Sequence, residues 1–257
     1  MKHIIVTGTS KGLGESVVNH LIESGKNMYL TTISRSENLK LKAKAEEKGV
    51  SLRFRECDLS DVDRIEPLME EIFSSMKMSD ITGLYLVNNA GVVEPVAPLS
   101  RCKSSEILKN MNINLAAPMV LTSSFIRLSE NMPIEKRVAT ITSGASMRAE
   151  YGWSAYCSAK AGVNLFTGCA ALEEQYKKHG VELIAFSPGI MDTDMQQRIR
   201  NVSSEDFKEV SKFIKYKEEG ALTPPALVAE KLLQLLFAKD MPSGEFVSLR
   251  DLIAEGK

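Results

Sequence analysis

Short apolar runs alternate along the chain with longer stretches in which apolar positions recur every three or four residues. The short runs read as buried strands and the longer stretches as amphipathic helices. Their regular alternation predicts a parallel sheet covered by helices on both faces. Residues 3–6 open as a strand, and 14–24 follow as a helix with Val17, Val18, Leu21 and Ile22 on one face and Gly25 as its stop. Further strands are predicted at 27–33, 51–56, 83–88, 137–142, 181–187 and 244–249. Helices are predicted at 39–48, 62–76, 105–131, 155–178 and 226–238. The polar, charged segment 192–223 lies between a strand and the last helix. It is a candidate substrate lid, although an exposed helical excursion without a role fits its composition equally.

Composition narrows the picture. The 257 residues fit one large α/β domain spanning 1–257, and the 44% apolar content supplies a sizeable core. Formal net charge is −1, and the basic run 40–48 is interleaved with Glu46 and Glu47. No nucleic-acid partner is expected from such a balance; a solvated helix face is. The four cysteines, Cys57, Cys102, Cys157 and Cys169, form no CxxC pair and have no histidine at ligand spacing. Neither a disulfide framework nor a metal site is expected, and a reducing compartment is. The apolar run at the start is too short for a signal peptide, and no stretch approaches the roughly 20 apolar residues that span a bilayer. The expectation is a soluble, cytoplasmic protein that does not engage membranes.

Chemistry concentrates at the ends of the predicted strands. The first strand runs into Thr7-Gly8-Thr9-Ser10-Lys11-Gly12-Leu13-Gly14, and a helix follows. Glycines let a backbone turn sharply and approach a pyrophosphate, and the free N–H groups of the helix end favour its charge. A tight loop needs glycine whether or not it binds anything; the strand before and helix after are what point to a dinucleotide. At the end of the second strand, where an acid would hold a ribose 2′-hydroxyl, the sequence reads Thr31-Thr32-Ile33-Ser34-Arg35-Ser36. Arg35, Ser34 and Lys11 suit a 2′-phosphate instead, which favours NADP(H) over NAD, unless both cations are ordinary surface charges.

Tyr156 and Lys160, four apart on a predicted helix, share a face. Alone, such a pair is common. Ser143 ends a strand, Asn114 sits within an apolar helix, and Asn88-Asn89-Ala90-Gly91 ends another strand at the same sheet edge. Reduction of a ketone builds negative charge on oxygen and needs a proton there. A neighbouring Lys160 ammonium should draw the Tyr156 phenol down toward the useful range, and Ser143 would hold the carbonyl oxygen. Asn114 would hold a water that resupplies protons through Lys160. Taken singly, Ser143 also reads as a turn cap and Asn114 as a satisfied buried amide.

Together, TGTSKGLG, NNAG, Asn114, Ser143, Tyr156-x-x-x-Lys160 and Ser187-Pro188-Gly189 resemble the short-chain dehydrogenase/reductase family over nearly the whole chain. The resemblance implies a Rossmann-type, doubly wound parallel sheet of about seven strands in a three-layer αβα domain. It implies Asn114, Ser143, Tyr156 and Lys160 as a catalytic tetrad. By the same likeness Asp58 and Leu59 flank adenine, and Asn88, Ala90 and Gly91 line the cofactor. Pro188, Gly189, Ile190 and Thr193 then hold the nicotinamide end. A homodimer through the two long helices is also implied.

Within the family, GWSAYCSAKAG, SPGIMDTDMQQ and PSGEFVSLRD are similar to sepiapterin reductases and bacterial benzil reductases. Trp153 then looks like an aromatic wall of the substrate pocket or a packing residue, with Met147 and Met191 as adaptable neighbours. Where animal sepiapterin reductases carry an aspartate that anchors the pterin, this chain has Ser248. In a regular strand Glu245 and Asp251 would face away from Ser248, so no carboxylate replaces that anchor. The expected substrate is a small carbonyl compound, an uncharged aromatic or vicinal diketone of the benzil type. A pterin is the alternative, and a non-catalytic NADP-binding sensor the further one.

Overall fold

In the computed structural model, which describes residues 1–25 and 27–254, the predicted alternation is present throughout. The strands are β1 (Lys2–Thr7), β2 (Met28–Ser34), β3 (Ser51–Glu56), β4 (Gly83–Asn88), β5 (Glu135–Ile141), β6 (Glu182–Ser187) and β7 (Phe246–Ser248). They form one parallel sheet in the order β3-β2-β1-β4-β5-β6-β7. The order reverses between β1 and β4, and the crevice beyond the strand ends at such a switch is where ligands of open α/β sheets sit.

Helices α1 (Gly12–Ser24), α2 (Leu39–Lys48) and α9 (Pro225–Leu236) cover one face, where α1 packs on both others. The opposite face carries α3 (Ile65–Ser74), α4 (Ser104–Met111), α5 (Ala117–Ser129) and α6 (Ser154–Glu174). Strand parity decides which core a side chain joins. On β1, Ile4 and Val6 enter the core under α1 and α9, whereas Ile5 enters the core under α3 and α5. Tyr85 and Val87 of β4 divide from Leu84 and Leu86 in the same way. Each such buried aliphatic side chain contributes about 1.5–3 kcal/mol, so both faces hold the sheet.

The predicted helix 105–131 is α4 and α5 joined by a π-type turn at Asn112–Ala116, with Asn114 inside it. A π turn adds a residue to the helical repeat and re-aims the side chains around it, often at functional sites. Segment 192–223 contains α7 (Asp194–Arg200) and α8 (Val210–Glu218). Its two ends lie side by side: Met191 bridges Thr223, Thr223 N donates to Ile190 O at 2.9 Å, and Asp192 N donates to Thr223 O at 3.2 Å. After β7 the chain turns at once into α10 (Leu249–Ala254) rather than continuing as strand. Among the described residues no helix is long and apolar enough to cross a membrane.

Candidate active site

One cavity of about 1100 Å³ runs along the C-terminal ends of the strands. It begins where β1 turns into α1. Lys11 is the N-cap of α1 and makes no side-chain cap, so the first-turn N–H groups stay available. Gly8 has φ +70, and a β-carbon there would lie 2.8 Å from Ala90 Cα. Only glycine allows the turn to press that closely on the end of β4. Asn89 locks the arrangement by donating from Nδ2 to Thr7 O at 2.9 Å and Gly8 O at 3.1 Å. This wall has open backbone, a helix N-terminus and close glycine packing, and it fits a dinucleotide pyrophosphate.

Gly8, Ser10, Lys11, Gly12 and Leu13 all line the cavity, as do Ser34, Arg35, Asp58, Leu59, Ala90 and Gly91. Pro188, Gly189, Ile190 and Thr193 line it from beyond β6. Gly14, Asn88 and Asn114 stand behind this wall. A β-carbon at Gly14 would meet Gly8 O at 2.3 Å, so that glycine serves helix-on-turn packing. Asn88, expected to line the cofactor, donates instead to Thr122 Oγ1 at 3.0 Å and Thr140 Oγ1 at 3.3 Å inside the sheet. Its neighbour Asn89, just past the end of β4, lines the cavity instead. Lys11 is ion-paired with Asp194 of α7 at 2.5 Å, while Arg35 lies near enough to Asp58 to help hold that carboxyl below its usual range, after the Ser60 hydrogen bonds.

Ser143, Tyr156 and Lys160 meet on the opposite wall. Helix α6 is pinned to β5 at two points: Thr142 Oγ1 donates to Lys160 O at 3.2 Å, and Lys160 Nζ donates to Ile141 O at 2.8 Å. Ser143 also caps the turn that follows it, accepting from Ala145 N at 3.2 Å, so both roles read from the sequence coexist. Burial sets the proton affinities. It pulls the Lys160 ammonium down to about 8 and pushes the Tyr156 phenol up, with the facing Ser143 hydroxyl pulling the phenol back. The expectation that Lys160 dominates the phenol's titration is therefore corrected: burial is the largest influence on both groups, and Ser143 rather than Lys160 draws the phenol back.

Trp153 both packs and lines. It stacks on Phe207 at 4.5 Å between ring centroids and meets Phe213 at 5.5 Å and Tyr156 at 5.4 Å edge-on. Segment 192–223 is thus seated on Trp153, whose ring meets Tyr156. Gly152 permits that seat, since a β-carbon there would lie 2.1 Å from Asp206 O. Exposed ion pairs tie the segment to the body: Lys11–Asp194, Glu94–Arg198 at 2.8 Å and Arg101–Asp206 at 2.9 Å. Met147, Met191, Gln196, Phe213 and Tyr216 also line the cavity; the last three were missed because a polar excursion gives no periodic signal.

The reading of the C-terminal strand is corrected as well. Ser248 ends β7 and starts α10, so parity stops there, and Asp251 folds back into the same cavity wall. Ser248 Oγ donates to Asp251 Oδ2 at 2.6 Å and accepts from Asp251 N at 3.2 Å. A carboxylate does stand beside Ser248. The short Ser-to-Asp spacing before an apolar pair was the signal for that helix start.

A family model for short chain dehydrogenase matches residues 2–203. The chain belongs to the short-chain dehydrogenase family. It is 42% identical to a benzil reductase ((S)-benzoin forming) of Bacillus cereus, over 97% of this chain and 99% of that protein. A Bacillus subtilis protein of the same description is 34% identical over 98% and 100% of the two chains, and sepiapterin reductase of Mus musculus is 28% identical over 96% of each. The crystal structure of the KRED1-Pglu enzyme superposes with a TM-score of 0.83 at 27% identity, covering 96% of this chain and 100% of that one. As a family member the protein is an oxidoreductase that works with a nicotinamide cofactor on carbonyl or carbinol groups.

Proposed function

We propose that this protein is an NADPH-dependent carbonyl reductase whose substrate is a small vicinal diketone of the benzil type, reduced once to the hydroxyketone. The observation that carries the proposal is a single cavity holding Ser143, Tyr156 and Lys160 on one wall and the glycine turn of α1 on the other. Full-length likeness to two bacterial benzil reductases supports the substrate class.

When bound, the nicotinamide supplies the hydride. Gly8, Ser10, Gly12 and Leu13 would hold the pyrophosphate at the α1 end, and Arg35 with Ser34 the 2′-phosphate, whose charge a nearby acid would repel. Ser143 holds the carbonyl oxygen. Tyr156 donates the proton to that oxygen, since a phenol kept high by burial remains protonated until the acceptor develops charge. Lys160 stands behind it as a buried cation that favours charge build-up on the phenol oxygen during transfer. Trp153, Met147 and Met191 form an apolar, adaptable surface for an aryl group. Exposed Leu108, Leu165 and Leu172 on α4 and α6 support association of two copies through these helices; sedimentation checks this.

Asp251 favours a second reading, a pterin reductase, because its carboxylate lies on the cavity wall where a donor edge would need an acceptor. Comparison of kcat/KM for benzil and sepiapterin with NADPH separates the two. Higher efficiency with benzil supports the diketone reading, and a strong preference for sepiapterin overturns it. Tyr156→Phe should abolish most turnover while NADPH still binds; unchanged function in that variant would instead identify a sensor.

A further inference from the structure

Ser34 and Arg35, which would hold a 2′-phosphate, stand at the head of a short loop that runs from β2 to Asn38, the N-cap of α2. The loop closes partly on itself: Ser34 Oγ donates to Ser36 O at 2.8 Å, and Lys42 pairs with Glu37 at 3.5 Å. Arg35 is exposed, so core packing does not fix it. The glycine turn across from the loop is fixed without it, by Asn89 and by Gly8 N, which donates to Ile33 O at 2.8 Å.

The side chain of Asn38 joins the two. Its Oδ1 accepts from Lys40 N at 3.1 Å and Leu41 N at 3.2 Å, which caps α2 and leaves Nδ2 to face elsewhere. Nδ2 donates to Ser10 O in the glycine turn at 3.2 Å and to Glu15 Oε1 in the first turn of α1 at 2.9 Å. Both lone pairs and both hydrogens of the amide are used. Among the described residues, no other hydrogen bond or ion pair joins residues 35–38 to the glycine turn or to α1. A looser contact, Thr9 Oγ1 to Ser34 Oγ at 3.4 Å, touches only the strand end.

The bond to Glu15 has an electrostatic side. Glu15 lines the same cavity as Lys11, Ser34 and Arg35, and a carboxylate there opposes a phosphate. Held on the neutral Asn38 donor, Glu15 makes no ion pair among the described residues, so neither Lys11 nor Arg35 is occupied by it.

We propose that Asn38 is a positioning residue for cofactor choice: it ties the loop carrying Arg35 to the glycine turn and holds Glu15 on a neutral donor, so that a 2′-phosphate meets a preset cationic cradle. The proposal rests on NADP(H) being the cofactor. NADH lacks that phosphate and should be little affected.

The test uses the full chain. Fluorescence titration with NADPH and with NADH gives the ratio of their dissociation constants, and calorimetry with 2′,5′-ADP reads the adenosine end alone. Wild type should prefer NADPH. Asn38→Ser keeps a helix cap but is too short to reach Ser10 and Glu15. It should weaken NADPH and 2′,5′-ADP about five- to tenfold and NADH less than about twofold, with Tm nearly unchanged. Asn38→Asp also keeps the cap, but it turns an acceptor on two acceptors and adds a charge. It should weaken NADPH about thirtyfold at low salt, and its excess over the serine variant should fade at high salt. Asn38→Ala should match the serine variant in cofactor preference while melting at a lower temperature, because it loses the cap as well. A residue that only caps α2 would leave Asn38→Ser like wild type and weaken binding in Asn38→Ala alone, and that result overturns the proposal. Equal weakening of NADPH and NADH overturns it too, since the effect would then lie at the pyrophosphate. A wild type with no preference for NADPH is a distinct failure: it removes the NADP(H) reading, and the proposal with it.

Discussion

Buried cations sit at both edges of the sheet, and their surroundings differ. At the N-terminal edge, Arg137 pairs with Glu182 at 2.7 Å and donates to Leu236 O at 2.9 Å and Ala238 O at 2.6 Å. Lys136 beside it donates to Ser129 O at 3.0 Å and His179 O at 2.5 Å, closing the end of α5. At the C-terminal edge, Lys160 has one protein acceptor among the described residues, and burial draws it down to about 8. A cation with most of its donors filled fixes structure. A cation left with open donors is held at a cost, which marks it as a candidate for chemistry.

The sharpest way to break that contrast is to remove both charges. Lys160→Met should lower kcat by about 10²–10⁴-fold without lowering thermal stability, since an under-partnered buried charge is exchanged for an apolar chain. Steady-state assay with NADPH and a thermal melt check the two halves. The same proton gives a paired pH signature. Between about pH 8 and 10.5 the unfolded lysine holds its proton and the folded one does not, so stability should rise with pH as turnover falls. Arg137→Met should do the reverse, costing about 3–5 kcal/mol by leaving Glu182 and several carbonyls unpaired, with kcat of the folded protein little changed. Urea denaturation measures that loss.

A further buried base, His3, sharpens the comparison. His3 at the start of β1 bonds Thr31 Oγ1 at 2.8 Å and is held down to about 4 by burial, with Arg53 adding to it. Its contribution is present above pH 6.5 and lost as pH falls toward 4, about 3 kcal/mol in all. His3→Asn should flatten that part of the stability profile. The smallest effect expected is at the exposed Lys11–Asp194 pair. Asp194→Asn should raise NADPH affinity by a few-fold at low salt, by freeing Lys11 for phosphate, and the gain should vanish at high salt. Fluorescence titration at two ionic strengths reads it.

Regular features were legible in the sequence. Apolar periodicity located every strand and the helices that cover the sheet, because each buries a defined face. The glycine turn and Tyr156–Lys160 were legible for the same reason: their spacing is their geometry. What escaped depended on contacts between distant segments. Nothing local announces that Asn88 faces Thr122 rather than the cavity, or that the helix through Asn114 widens by a residue. Asp251 escaped because strand parity was extended past Ser248, where β7 ends and a helix starts. Desolvation of Lys160 and Tyr156 escaped because it is set by tertiary packing: Trp153, which meets Tyr156 edge-on, is itself covered by Phe207 and Phe213 from some fifty residues downstream.

The stitched stem at Met191 and Thr223 has an evolutionary consequence. The chain leaves the body and rejoins it at a single doorway, so everything between is a cassette. An insert joined this way can be rewritten without shifting a strand, and a graft cut at those two residues that keeps Thr193 and the seat of Asp206 and Phe207 should carry ligand taste from one scaffold to another.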